Sequence, residues 1–491
     1  MSKQYRPWAP DQAYLLPPSP AEWLPEGHLA YFVLEVVQEL DISAIESAIQ
    51  EKDPRGERPY SPRMMTALIL YAYCAGVFSS RRIERATYED VALRVIAGGT
   101  HPHFTSVNRF RLEHRKALAG LFVQVLKLCA RAGLKTVGHV ALDGSKVQAN
   151  ASKHKAMSYG RMKDDEKRLQ AEIESLLRRA EEVDAAEDAE HGADMRGDEI
   201  PEELRRRESR LQRIRAAKAE LEKEAAEARA AELRENAEGL RKTAEDDSAP
   251  PRQRRLATTL ASKAEKEAKK LSGGKDDDDD ANGGGASQLS LHRVPTTSDG
   301  KPKDTAQRNF TDADSRIMHR NGAFLQAYNA QAAVSEDQII LAHGVTNNPT
   351  DTNQLIPMLE RVAESCGRHA VVMTADTGYL SEANITYCAK NGIDAYVALR
   401  RSDAEKLTQV PASAALVAHW DMHQKVSSPW GNRIYALRKV LVEPVFGQIK
   451  AAMGFRRFSL RGRAKVEAEW GIVCLCHNLL KLFRSRALAT P

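Results

Sequence analysis

The chain has 491 residues, of which 42% are hydrophobic and 28% are charged, and its formal net charge is +5. This length allows about two to four domains, or one large core with an insertion, and the hydrophobic fraction supports a packed core. The N-terminus lacks an apolar signal core and no apolar run reaches about 18 residues, so we expect a cytoplasmic protein that does not enter the membrane. The six cysteines lack zinc-ligand spacing, and we expect reduced core thiols.

Hydrophobic periodicity predicts a helical N-terminal domain over residues 1–133, which we interpret as a DNA-binding and assembly domain. It predicts helices over residues 28–40, from Ser61 onwards, over 79–95 and over 107–132. The last of these begins with basic residues that include Arg109 and Arg111, a pattern that favours contact with a DNA backbone. An ordinary solvated helix face explains these arginines equally well.

The composition changes abruptly in the middle of the chain. Residues 134–158 contain a short apolar run, predicted as the first strand of a catalytic domain. Residues 159–271 are rich in Glu, Ala, Arg and Lys with near-heptad apolar spacing, which predicts a helical hairpin or coiled coil that interrupts this domain. Residues 272–294 predict a flexible linker, whose five aspartates we interpret as solvated charge. Residues 295–484 alternate predicted strands and helices and complete an α/β domain with a mixed sheet.

Two predicted strands end in an aspartate, Asp143 after VAL and Asp376 after VMTA. Carboxylates at the carboxyl ends of neighbouring strands can lie side by side, where they repel each other unless a cation lies between them. One such aspartate would be explained as the cap of the following turn. Two at matching positions favour a metal site.

Glu443 is the candidate third acid. On a helix, Lys439, Glu443 and Lys450 share one face, and the apolar neighbours of Glu443 argue against an exposed position. Oxygen ligands without histidine or cysteine select Mg²⁺ or Mn²⁺. Two such ions about 3.5–4 Å apart support in-line phosphoryl transfer.

A basic stretch follows this acid in the sequence. It contains Lys450, Arg456, Arg457, Arg461 and Arg463. These residues are interleaved with Phe455 and Phe458, a mixture suited to a phosphate backbone and to unstacked bases. The alternative is a solvated surface helix.

These blocks together resemble the DDE transposases of bacterial insertion sequences, and the resemblance covers nearly the whole chain. It rests on RFR at 109–111, DGSKVQANASKHKA at 143–156, GAFLQAYNAQAAV at 322–334, ADTGY at 375–379, RKVLVEPVFGQIK at 438–450, FRRFSLRG at 455–462, and the terminal EW and HNLLKL. The resemblance implies a ribonuclease H-like catalytic domain, an all-α N-terminal domain and a long helical insertion.

The resemblance also implies a site and a reaction. It implies that Asp143, Asp376 and Glu443 hold two Mg²⁺ or Mn²⁺ ions, and that a Tyr-Arg-Glu-Lys signature falls on Tyr435, Glu443 and Lys450, with its arginine at Arg438 or Lys439. It implies cleavage and strand transfer of double-stranded DNA at terminal inverted repeats by a homodimer or larger assembly. Two alternatives stay open: another metal-dependent nuclease of this fold, such as a junction resolvase, and a DNA-binding regulator that has lost catalysis.

Overall fold

The computed structural model describes residues 22–52, 58–134, 136–191, 202–246, 249–272, 287–320, 322–400 and 414–489. Most of the predicted linker, including its aspartate run, lies outside these residues. Its last part, 287–294, packs against the sheet, because Leu289 is buried and the Ser287 carbonyl accepts a hydrogen bond from Arg361.

A mixed sheet forms the centre of the fold. In chain order the strands are β1 (His139–Gln148), β2 (Ala156–Ser158), β3 (Gln307–Asn309), β4 (Arg316–Arg320), β5 (Ala323–Ser335), β6 (Ile340–Thr346), β7 (Val372–Ala375) and β8 (Asp394–Val397). β1 pairs antiparallel with β5 and parallel with β7, and β8 continues the sheet parallel to β7. β4 and β6 both pair with the other edge of β5, whereas β2 and β3 form a separate two-stranded sheet. The predicted α/β layout with a mixed sheet is therefore present.

The N-terminal region is helical, as predicted, with two differences in helix boundaries. Its helices are α1 (Leu29–Glu39), α2 (Ser43–Gln50), α3 (Pro62–Cys74), α4 (Ser80–Glu89), α5 (Val91–Ile96), α6 (Phe104–Glu113) and α7 (Arg115–Arg131). The single helix predicted over 79–95 is two helices, because Asp90 is extended and caps the N–H of Leu93. The single helix predicted over 107–132 is also two helices, which meet at His114.

Three helices follow in the insertion, namely α8 (Tyr159–His191), α9 (Glu202–Glu245) and α10 (Pro251–Leu271). The prediction of a hairpin was therefore incomplete, because α9 packs against α8 at one end and against α10 at the other. The insertion is tied to the catalytic region by buried arginines. Arg308 pairs with Glu220 and Glu224, and Arg316 also pairs with Glu224.

The C-terminal helices hold the sheet and the N-terminal helices in one core. They are α11 (Leu355–Cys366), α12 (Glu382–Lys390), α13 (Ala414–Ser427), α14 (Pro429–Gly447) and α15 (Arg463–Ala489). α15 packs against α3, α7 and β6. The side-chain amide of Asn478 accepts a hydrogen bond from the N–H of Ile340 and donates one to the carbonyl of Ile340, both at 2.9 Å. Trp470 Nε1 donates to the Gln331 carbonyl. Among the described residues, no helix is both long and apolar enough to span a membrane.

The pairing of Glu224 with two buried arginines gives a test of how firmly the insertion is attached. Glu224→Ala removes a carboxylate from Arg308 and Arg316, which are about nine-tenths buried. We expect it to lower the free energy of unfolding by about 1–3 kcal/mol, because a buried charge loses a partner and Glu224 itself is partly solvated. Urea unfolding followed by circular dichroism measures this. Glu227→Ala is the matched control, since Glu227 on the same helix is exposed and its one ion pair among the described residues is with Lys223 at 3.9 Å. Equal stability of the two variants would contradict the expectation.

Candidate active site

Asp143 and Asp376 lie level with each other on neighbouring parallel strands. The register pairs Ala141 of β1 with Thr374 of β7, and each aspartate lies two residues further along its strand direction. The strand-end prediction was wrong for Asp143, which lies within β1 opposite Ala332 of β5. β1 continues to Gln148 because the long strand β5 pairs with it over its whole length. Asp376 does follow the end of β7, as predicted.

Burial makes both carboxylates difficult to ionise. It raises the pKa of Asp143 to about 6, an effect that the Arg438 guanidinium opposes and the Asp376 carboxylate strengthens. Burial also raises the pKa of Asp376, where the N–H of Gly378 opposes the shift and the charge of Asp351 adds to it. Two carboxylates that repel each other in a partly buried site are stabilised by a nearby cation.

Arg438 is the cation that the chain itself supplies. Its guanidinium lies 3.4 Å from Asp143 Oδ2 and 3.8 Å from Glu443 Oε1, so it bridges the sheet and α14. The expectation that Glu443 avoids solvent was wrong, because 53% of its side chain is exposed. Of the two candidates for the signature arginine, Arg438 is mostly buried beside the acids, whereas Lys439 is exposed.

Two other residues of the predicted signature also lie beside this bridge. Burial raises the pKa of Tyr435, whose side chain forms a hydrogen bond with Arg438. Lys450 lies in a π-helical turn over 448–452 that continues α14, and its ammonium donates to the hydroxyl of Ser145 on β1. Tyr435, Arg438 and Lys450 therefore all lie near Asp143, on the side of β1 that α14 covers.

The residues partly fit a divalent ion. Asp143 and Asp376 are oxygen donors brought together in a partly buried place, which suits a hard cation. Over the part of the chain that the structure describes, however, no group of three or more His, Cys, Asp or Glu side chains is arranged to hold a metal. The third acid is separated from the pair because Arg438 lies between Glu443 and Asp143.

Sequence reasoning missed a polar cluster beside the two aspartates. Asp351 Oδ1 accepts hydrogen bonds from Asn329 Nδ2 at 2.6 Å and from Gln331 Nε2 at 2.7 Å. Asp351 Oδ2 lies 3.4 Å from the ammonium of Lys146, a residue of β1. The signal was present in the sequence, because Asn329 and Gln331 are polar residues two apart in a mostly apolar strand, and therefore point to one face.

Glycine at position 144 allows this cluster to approach the catalytic strand. A Cβ there would lie 2.2 Å from Gln331 Nε2 and 2.7 Å from Asp351 Oδ1. The side-chain oxygen of Gln331, Oε1, accepts a hydrogen bond from the hydroxyl of the buried Tyr379, which lies three residues after Asp376. The cluster thus connects β5, the start of the 351–366 segment and the turn after β7.

Several predicted DNA contacts are solvent-accessible and others are not. Arg109, Arg456, Arg457 and Arg461 are exposed, whereas Arg463 is partly buried and pairs with Glu467. The prediction for Arg111 was wrong: it is 3% exposed and donates to the Tyr73 hydroxyl and the Phe78 carbonyl, so it supports the core. Stacking of bases on Phe455 and Phe458 was also a wrong prediction, since both rings are buried.

Two regions of the chain match models of protein families. Residues 291–479 match the family model described as a transposase DDE domain, and residues 19–113 match the model described as a transposase domain, DUF772. The chain belongs to the DDE transposases of insertion sequences. The first match includes Asp376 and Glu443 but begins after Asp143, which the strand pairing of β1 with β7 brings to the site. No curated protein and no solved structure matches this transposase.

Membership of this family carries two general consequences. A transposase DDE domain implies the ribonuclease H-like fold, with which the mixed sheet and the mostly helical N-terminal region agree. The family generally uses divalent metal ions, and the oxygen-rich pair of aspartates is compatible with such ions.

The Asp351 cluster gives a prediction about stability. Asp351→Ala leaves the amide donors of Asn329 and Gln331 without their shared acceptor, and we expect a loss of about 2–3 kcal/mol in the free energy of unfolding. Asp351→Asn keeps an acceptor oxygen at the same place and should cost less than half as much. Urea denaturation of both variants measures the difference. Wild-type stability of Asp351→Ala would show that the cluster does not stabilise this edge of the sheet.

Proposed function

We propose that this transposase binds the terminal inverted repeats of its element and catalyses DNA cleavage and strand transfer at Asp143, Asp376 and Glu443. The observation that supports this most is the level placement of Asp143 and Asp376 on neighbouring parallel strands, in a setting that raises the pKa of both. Glu443 completes the proposed set from α14, joined to Asp143 through Arg438.

The three acids are proposed to hold two Mg²⁺ or Mn²⁺ ions. When bound, such ions lower the pKa of the attacking oxygen and stabilise the leaving oxygen in phosphoryl transfer. We propose that Arg438 changes its partners when DNA binds. Without DNA it pairs with Asp143 and Glu443, and with DNA its guanidinium is free to bind a phosphate oxygen, for which its fork of donors is suited.

The proposed DNA path runs from this site across the basic loop after α14. Tyr435, Arg438 and Lys450 lie beside the acids, where they would contact the phosphate that is cut. Arg456, Arg457 and Arg461 are exposed beyond them, and we propose that they follow the DNA backbone. Arg463 is a weaker candidate because it already pairs with Glu467, whereas Lys439 is exposed on α14.

We propose the same domain roles for the segments predicted from the sequence. Residues 1–133 would bind DNA and assist assembly, residues 134–158 and 295–484 would form the catalytic domain, and residues 159–271 would reach DNA or a second copy from the side of this domain. Cleavage of two element ends requires two sites, so we propose a homodimer or larger assembly on DNA.

The acids are tested by isosteric neutral variants. Asp143→Asn, Asp376→Asn and Glu443→Gln should each reduce cleavage and strand transfer at least about a hundredfold, because loss of even an outer-shell partner of a metal costs 10–100-fold. Binding to the element's ends should stay the same or become tighter, since each change removes a negative charge near phosphate. The measurements are end-nicking and joining of labelled duplex with Mg²⁺, and fluorescence anisotropy without metal.

Matched controls separate these roles from a general effect of surface charge. Asp394→Asn changes an acid at the start of β8 that pairs with Lys425, and it should leave cleavage unchanged. On α14, Arg438→Gln should slow cleavage while Lys439→Gln should not. Wild-type cleavage by any acid variant would remove that residue from the proposed set. A wild-type chain that cuts element ends and never joins them would instead be a metal-dependent nuclease.

A further inference from the structure

The turn that ends α3 lies against the π-helical turn that carries Lys450. We call residues 75–78 the α3 turn. Its Gly76 has a φ of +78°, and a Cβ at that position would lie 2.7 Å from the Met453 carbonyl oxygen, so glycine alone fits there without movement. Met453 is buried and directly follows the π-helical turn over 448–452. The N-terminal helices therefore pack directly on the segment that carries Lys450.

The α3 turn is fixed at both of its ends. The Val77 N–H donates to the Ala72 carbonyl at 2.7 Å, with Gly76 between them in left-handed backbone, as in a Schellman helix end. The Phe78 carbonyl accepts a hydrogen bond at 2.9 Å from the buried guanidinium of Arg111 on α6. A turn that is bonded in this way can hold a neighbouring segment in position.

The α3 turn contacts the two residues that close the π-helical turn. The Met453 N–H donates to the Gln448 carbonyl, and the Phe455 N–H donates to the Ile449 carbonyl, both at 2.9 Å. The ring of Phe455 is buried and meets the Phe78 ring edge to face, with 5.0 Å between the ring centres. Movement of the α3 turn would therefore reach both closing bonds of the π-helical turn.

The place of the Lys450 ammonium depends on this π-helical turn. Lys450 lies in the middle of the turn, and its ammonium donates to the hydroxyl of Ser145, two residues beyond Asp143 on β1. Single π-helical turns are rare and occur frequently at functional sites. The contacts with Met453 and Phe455 give this turn a rigid support that comes from the N-terminal helices.

We propose that the α3 turn is a positioning segment for the reaction, which sets the place of the Lys450 ammonium through Met453 and Phe455. This inference rests on the proposed function, because it takes Lys450 as a contact of the phosphate that is cut. It gives the N-terminal helices a part in the chemical step, in addition to the DNA contact and assembly proposed for them. Gly76 and Phe78 act through Lys450 and not on the DNA.

The substitution that tests this is Gly76→Ala, because the added methyl group displaces the Met453 carbonyl. The rate of single-turnover cleavage of an element end, measured with Mg²⁺ at saturating DNA, should fall at least about tenfold, since a misplacement of about 1 Å can cost about 100-fold. The affinity for the same duplex, measured by anisotropy without metal, should change little because the other phosphate contacts stay in place.

A second measurement reports on the π-helical turn directly. Hydrogen–deuterium exchange of the full chain, without DNA or metal, follows the amides of residues 448–455. These amides should exchange faster in Gly76→Ala than in wild type, because their closing hydrogen bonds open more often. If Gly76→Ala does not fold, Phe78→Leu takes its place, since it removes the ring contact without backbone strain. It should show the same two changes to a smaller degree.

Gly133→Ala is the matched control. Gly133 ends α7 in the same kind of turn, with a φ of +77° and a hydrogen bond of 2.9 Å from the Leu134 N–H to the Cys129 carbonyl. Within the described part of the chain, a Cβ at Gly133 would have no neighbour within 4 Å. This variant forces alanine into the same left-handed backbone and should keep the wild-type cleavage rate and the wild-type exchange over 448–455.

The results that overturn the proposal are specific. Wild-type cleavage by folded Gly76→Ala overturns it, and so does slower cleavage with unchanged exchange over 448–455. If Phe78→Leu is the variant tested, wild-type cleavage and exchange overturn it. Failure of the proposed function looks different, because a wild-type chain that never cuts element ends refutes the catalytic role of Lys450. The exchange measurement needs neither DNA nor cleavage, and it then decides the contact of the α3 turn alone.

Discussion

The main physical constraint on this structure is that the sheet holds two carboxylates level with each other, where they repel each other and need a neighbouring positive charge. Parallel pairing of β1 with β7 fixes Asp143 beside Asp376, and burial raises the pKa of both acids. Such a pair is stable at neutral pH only with positive charge nearby. Arg438 supplies that charge at 3.4 Å from Asp143, and it also contacts Glu443 from α14. We propose that Asp143 and Asp376 would hold divalent ions in place of this contact with Arg438, and that such ions would supply the positive charge near the pair.

The rest of the fold keeps this strand pair in place. Asp351, held by Asn329 and Gln331, supports the edge where β5 meets the turn after β7. α15 packs against β6, and side chains of Trp470 and Asn478 bond it to the sheet. Because α15 also packs on α3 and α7, the N-terminal helices share one hydrophobic core with the catalytic sheet. This arrangement brings Arg81 of α4 and Arg109 of α6 next to the loop at Arg457.

The sequence predicted the elements better than their ends and contacts. Apolar runs located the strands around Asp143 and Asp376, because a short continuous apolar run is typical of a strand that is buried on both faces. The sequence pattern wrongly put Asp143 at the end of a strand. The length of β1 is set by its pairing with β5, which lies far along the chain, and the local sequence does not reveal that pairing. The burial of Arg111 was not predictable for the same reason: its partners Tyr73 and Phe78 are more than 30 residues away. Basic and aromatic residues that are adjacent in the sequence also differ in burial, because Phe455 is buried and Arg456 is exposed.

We propose that Asp143, Asp376 and Glu443 form one metal-binding site when DNA is bound. Anomalous diffraction from crystals of the full chain with an element end, grown with Mn²⁺, tests this most directly. We expect two manganese peaks about 3.5–4 Å apart, bounded by Asp143 and Asp376, with Glu443 released from Arg438 and turned towards them. DNA bound at this face with no manganese between Asp143 and Asp376 would contradict it.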